Sequence, residues 1–143
     1  MTSSPVKILV CGLPGAGKTT LATRLALNLK AVHFNADSVR AVLSKDLGFS
    51  HEDRIEQARR MSWLCDQVVL AGHHAIADFV CPTKDTRDAF GEAFVVWVDR
   101  ITISRFQDTN KLFTPPTIYN IRVDRDGEPD VWVEKITACL KQS

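Results

Sequence analysis

Neither sign of charge prevails in this sequence, no apolar run is long, and its four cysteines are scattered. Each of these lacks removes a class of protein. Eighteen Lys plus Arg face seventeen Asp plus Glu, a net charge of +1. That balance argues against a chain held to nucleic acid by bulk electrostatics, although it leaves room for a local basic patch around a phosphate site. No stretch approaches the roughly 20 apolar residues of a membrane span. Met1 to Pro5 is short and polar, with no leader pattern before the first apolar segment. Cys11, Cys65, Cys81 and Cys139 lack the close pairing of a zinc or redox motif. In apolar surroundings a reduced thiol is a small hydrophobe, so the expectation is a soluble cytoplasmic protein with reduced cysteines. No repeat, low-complexity tract or linker divides the chain, and residues 1–143 are expected to form a single domain.

What the sequence does have is alternation. Val6–Cys11 is a β-branched apolar run suited to a buried parallel strand. After a Gly/Pro-rich turn, Thr19–Leu29 repeats apolar residues at helical spacing. Ala31–Phe34 reads as a second strand, with Asp37 placed to cap a helix through Leu43. The break at Gly48–Ser50 precedes a long helix from about Glu52 to Ala71, for which Gly72 is a stop. His74–Val80 and Ala93–Val98 read as third and fourth strands, with a helix opened by Pro82 across Thr83–Phe90 between them. Pro115–Pro116 forces an extended turn before a fifth strand, Tyr119–Val123, and Pro129–Lys141 forms a closing helix. Alternating strands and helices predict an α/β three-layer sandwich, with parallel strands joined by right-handed crossovers.

The turn after the first strand carries the chemistry. Gly12-Leu13-Pro14-Gly15-Ala16-Gly17-Lys18-Thr19 matches G-x-x-x-x-G-K-[ST] at every fixed position and lies between a strand and a helix. Glycines let successive backbone amides curl around phosphate oxygens, and the helix start adds its positive end. Lys18 is expected to reach the β- and γ-phosphates of ATP, the Thr19 hydroxyl to ligate Mg2+, and Thr20 to add a hydrogen bond to the α-phosphate. A guanine reader of the Asn-Lys-x-Asp form is missing, because Asn110-Lys111-Leu112-Phe113 has no Asp. A small one-domain P-loop chain with polar loops for an acceptor favours a kinase, with strand order 2-3-1-4-5 and a lid-like segment at about 101–116.

Asp37 follows the second strand at a carboxyl edge, where ligands of open α/β sheets gather. Its carboxylate suits taking a proton from an acceptor hydroxyl or holding a water on Mg2+. Arg40 and Arg54 flank the loops after that strand and are the better anion-binding candidates, ahead of Arg59 and Arg60. Asp78 ends an apolar run in the manner of a magnesium-supporting carboxylate. The neighbouring His73 and His74 would point to opposite strand faces, which favours a structural role.

From the P-loop through Phe34-Asn35-Ala36-Asp37-Ser38-Val39-Arg40, Asp46-Leu47-Gly48-Phe49-Ser50, Asp53-Arg54, Glu56 and Arg59-Arg60, and again at Ile76–Pro82, the sequence resembles the adenylylsulfate (APS) kinase family. The resemblance covers roughly the first ninety residues. It implies an ATP-dependent kinase in which Asp37 meets the acceptor hydroxyl, Arg40 and Arg54 hold the acceptor's anionic part, and Phe49 lies against its base. The chain departs from the family pattern in reading Asn35-Ala36-Asp37-Ser38 for Asp-Gly-Asp-Asn, in Ile55 and Gln57, in Cys81, and in a contracted lid. In that lid Arg105 and Lys111 are candidate cations for the transferring phosphate, and Phe106 or Phe113 a candidate aromatic face. Three readings stay open: an APS kinase, a P-loop kinase for a nucleoside, polynucleotide end or other small alcohol, and a non-catalytic ATP-binding module. A homodimer is compatible with each.

Overall fold

Each helix and strand forms where burial can be satisfied on the matching period. The computed structural model describes residues 4–101, 111–124 and 127–141. The strands are β1 (Lys7–Cys11), β2 (Val32–Asn35), β3 (Ala75–Asp78), β4 (Phe94–Val98) and β5 (Ile121–Val123). The helices are α1 (Lys18–Leu29), α2 (Ala36–Val42), α3 (His51–Leu70), α4 (Lys84–Phe90) and α5 (Pro129–Lys141). All strand pairs are parallel and their order is β2-β3-β1-β4-β5, as the alternation predicts.

The central strand β1 has no solvated face. Ile8 and Val10 pack with Ile76 and Val96 against Leu21, Ala22 and Leu25 of α1 and Trp132, Val133, Ile136 and Leu140 of α5. Leu9 and Cys11 turn the other way, toward Ala58, Met61 and Cys65 of α3 and Phe90 of α4. The buried positions of α3 recur at Gln57, Ala58, Met61, Ser62 and Cys65, one stripe of a 3.6-residue period. Each fully buried Ile, Leu or Val contributes about 1.5–3 kcal/mol relative to exposure. Two separate apolar layers thus clamp the sheet and fix the row of strand ends above it. Among the described residues no helix is long and apolar enough to cross a membrane.

Two local expectations need correction. Asn35, not Asp37, caps α2: its Oδ1 accepts from Ser38 N at 3.1 Å, and Asp37 lies exposed in the first turn. Asn35 wins because it sits at the last extended position, where a side-chain oxygen reaches back to the first free amides. Likewise α4 is headed by Thr83, which exchanges hydrogen bonds with Thr86 in a capping box, and Pro82 precedes the helix.

Candidate active site

The carboxyl ends of β1, β2 and β3 and the amino end of α1 converge on one spot. Gly12 starts the loop where backbone meets backbone: a Cβ there would come within 2.3 Å of Val98 O. Gly17, at φ 94°, turns the chain into α1, and a Cβ on it would meet Arg100 Nη1 at 2.8 Å. Helix α1 begins without a side-chain cap and without an acid in its first turn. By contrast α2, α3 and α4 are capped by Asn35, Ser50 and Thr83, and each has an acid in its first turn. The free amides and positive end of α1 are thus left for an external anion.

Lys18 is only 8% exposed, and its Nζ donates to Leu13 O at 2.9 Å, folded back over the loop. Burial holds its pKa below the ordinary lysine value, with Asp78, Cys11 and Asp37 pulling the other way. Thr19 Oγ1 donates to Asp78 Oδ1 at 3.1 Å, and Asp78 is 1% exposed. Asn35 Nδ2 lies 3.2 Å from Thr19 Oγ1, 3.2 Å from Asp78 Oδ1 and 3.3 Å from Oδ2. His33 Nε2 donates to Asp78 Oδ2. The resulting donor set, a hydroxyl beside a buried carboxylate, is all oxygen and fits Mg2+, which keeps several waters and takes phosphate oxygens as ligands. With its hydrogen given to Asp78 and one lone pair facing Asn35 Nδ2, the Thr19 oxygen keeps its other lone pair for a cation.

A second cluster lies across α2. Phe49 is 66% exposed, with the Arg40 guanidinium 4.4 Å and that of Arg54 5.4 Å from its ring centre. Arg40 Nη1 donates to Gly48 O at 2.8 Å and Arg54 Nε to Phe49 O at 3.0 Å, so backbone carbonyls fix both. Burial lowers the pKa of each arginine, and repulsion from Arg40 lowers that of Arg54 further. Two like charges stacked on one ring favour an anion between them. Asp37 acts electrostatically on both Lys18 and Arg40, partly opposing the lowering that burial imposes on each. Below it Gln57 is buried, its Nε2 3.4 Å from Ala36 O and its Oε1 without a partner among the described residues.

The family model described as adenylylsulphate kinase matches residues 4–110. The chain belongs to that family. Adenylyl-sulfate kinases of Shewanella baltica and Clostridium kluyveri are 40% identical over 98 residues and 38% identical over 104. The matches take in 65% and 66% of this chain but 48% and 52% of those proteins, so the chain spans about half the length of the curated relatives it matches. An APS kinase of Mycobacterium tuberculosis, solved in complex with AMPPNP and APS, shares the fold with a TM-score of 0.82 and 22% identity, covering 98% of this chain and 99% of that one.

Set in an adenylylsulphate kinase framework, the residues singled out by sequence fall into groups. Gly12 to Thr20 form the loop and first turn of α1, and Thr19 meets Asp78, a pairing not read from the sequence. Arg40, Phe49 and Arg54 come together, and Asp37 interacts electrostatically with both Arg40 and Lys18. Arg105 and Phe106 fall outside the described residues. Lys111 is exposed, whereas Phe113 is partly buried against the core layer shared with α3. The next residue, Thr114, is tied down by N–H donation to Pro82 O at 2.7 Å and by Arg87 Nη2 on its carbonyl at 2.7 Å. His74 proves structural, its Nδ1 accepting from Val6 N at 3.0 Å. Sequence reasoning passed over His33 and the cation-shaping part of Asn35. The available signal was their i, i+2 spacing on one strand face, opposite Ile76 and Asp78 in register.

Proposed function

We propose that this protein transfers the γ-phosphate of ATP to a hydroxyl of a small anionic acceptor, with the 3′-hydroxyl of adenylyl sulfate the leading candidate. The observation that carries the reading is the position of Asp37: exposed, relieved of capping duty by Asn35, and within electrostatic reach of both the P-loop lysine and the acceptor-side Arg40.

In this reading the triphosphate takes the uncapped end of α1, and Lys18 exchanges its bond to Leu13 O for the β- and γ-phosphate oxygens. Thr19 would hold Mg2+ through its hydroxyl, oriented by Asp78, and the ion supplies charge neutralisation on the phosphate oxygens when bound. Arg40 and Arg54 grip the acceptor's anionic group in forked geometry, while Phe49 gives its flat part a surface. Asp37 orients the acceptor hydroxyl and takes its proton as that oxygen bonds to the γ-phosphorus, the bond to the β-bridging oxygen breaks, and ADP leaves. Arg105 is the candidate lid cation for the transferring group. A cytoplasmic setting, with its ATP and reduced thiols, suits the reading, since Cys11, Cys65 and Cys81 are buried and unpaired.

The test is product formation from MgATP and adenylyl sulfate, followed by chromatography. Asp37→Asn is expected to lower kcat by about 10^2–10^4-fold while ATP still binds. Absence of product at saturating adenylyl sulfate, with ATP binding demonstrated by calorimetry, removes that acceptor. A second reading, transfer to an acceptor without sulfate, is favoured by one feature. An open groove of about 520 Å³ is walled by Phe34, Val39, Val42 and Leu43, with Thr19, His33, Asn35 and Ser38 as its polar lining. A screen of hydroxyl acceptors whose best substrate lacks any sulfate group would choose it.

A further inference from the structure

His33 is used by none of the steps above, yet it touches the acid on which the phosphate site is built. It leaves β2 on the same face as Asn35, two residues on, and β2 pairs with β3 so that Asn35 faces Asp78. The Asp78 carboxylate can only accept, so His33 Nε2 carries the hydrogen in their bond. Asp78 Oδ1 receives Thr19 Oγ1 and Asn35 Nδ2, and Oδ2 receives His33 Nε2 and a longer bond from Asn35 Nδ2.

These three donors are not equivalent. Thr19 is itself the residue whose oxygen would meet the cation when nucleotide arrives. Asn35 divides its amide between both carboxylate oxygens and the Thr19 hydroxyl. His33 gives one hydrogen to one oxygen and is the donor of the three that a bound cation would leave undisturbed. Its imidazole is also the wrong ligand type for a hard divalent ion, which rules it out as a natural Mg2+ ligand.

We propose that His33 is a positioning residue for the cation site: by holding Asp78 Oδ2 it sets the carboxylate plane so that Oδ1 takes the Thr19 hydrogen and the remaining Thr19 lone pair faces the incoming metal–nucleotide. The proposal rests on the P-loop reading above and extends it to a residue of the edge strand. Partners one layer behind a ligand, as Asp78 is to Thr19, typically shift metal affinity about 10–100-fold, and His33, acting through Asp78, is expected toward the lower end of that range.

The experiment uses Mn2+ as probe, with its affinity for the protein–ADP complex read by electron paramagnetic resonance. ADP affinity in EDTA is measured in parallel by calorimetry. His33→Phe, which keeps a ring and removes the donor, is expected to weaken Mn2+ by about 10-fold and leave ADP binding in EDTA within about twofold. His33→Gln, whose amide N–H can stand in for Nε2–H, should recover most of the loss. Wild-type Mn2+ affinity in His33→Phe overturns the proposal. So does an equal loss of ADP affinity in EDTA together with a lowered melting temperature, which would make His33 only a tie between β2 and β3. Wild-type protein that binds ADP in neither buffer overturns the P-loop reading itself, and this proposal with it.

Discussion

Replacing Lys18 with Met separates what the lysine does for the fold from what it does for a ligand. Its ammonium is buried and has one hydrogen bond, to Leu13 O. Burial outweighs the attraction of Asp78, Cys11 and Asp37, so its folded pKa lies below the unfolded value of 10.5. The fold therefore disfavours the charge. This penalty is fully present at neutral pH, below both values, and fades only as pH rises through the folded pKa toward 10.5. Met keeps the length of the side chain and removes the charge, so the nucleotide-free variant should melt no lower than wild type at pH 7. With nucleotide the sign reverses. Losing charge-assisted bonds of about 1.5–3 kcal/mol to each of two phosphates costs about 3–6 kcal/mol. That corresponds to roughly 10^2–10^4-fold in affinity. The assay is thermal melting with and without MgATP. At about 100 times Kd, ATP should stabilise the wild type by about 2.7 kcal/mol, a rise of roughly 5–10 °C for a chain of this size. The variant should show no rise at that concentration. An intact ATP shift, or a nucleotide-free variant that melts many degrees lower, would refute the reasoning.

Other expectations follow from the same geometry. Arg54→Ala should raise the acceptor KM by about 10–100-fold and leave the ATP KM within about threefold, as steady-state kinetics would show. An equal rise in both would mean that the arginine pair does not face the acceptor. Gly12→Ala forces a Cβ to 2.3 Å from Val98 O and should destabilise the fold by about 3 kcal/mol or more, read as a lowered urea midpoint. A wild-type midpoint would show that the β1–β4 approach is looser than described. Burial pushes the Cys11 and Cys65 thiols up to about 12, so at pH 8 both should react with a disulfide reagent only at the rate of unfolding. Rapid labelling of native protein at either position would contradict that burial.

The P-loop and the order of elements were legible because both are local: a fixed spacing of glycines and a lysine, and a hydrophobic period that switches between two and 3.6 residues. Thr19 and Asp78 were within reach as cation-site candidates for the same reason, since each residue ends or follows a recognisable strand, although the bond between them was not. What escaped was pairwise. Asn35 and Asp37 are both good capping residues, and only the last extended position of β2 decides between them. His33 is a lone histidine on a four-residue strand, and its meaning depends on register with a segment 45 residues away. Phe113 sits among polar residues and prolines that read as a ligand-facing loop, yet Arg87 and Pro82 hold its neighbour Thr114 against the turn after β3, and the ring is partly buried against the core layer.

The strand that carries His33 and Asn35 is the outermost one, four residues long and hydrogen-bonded on a single side, to β3. Strands so placed open first when a sheet breathes. Each opening would strip Asp78 of two of its three donors while leaving the loop after β1 intact. Grip on the divalent ion and solidity of the sheet's margin would then be a single equilibrium seen from two ends. An occupied site should slow deuterium uptake along Val32–Asn35 more than along the interior strands.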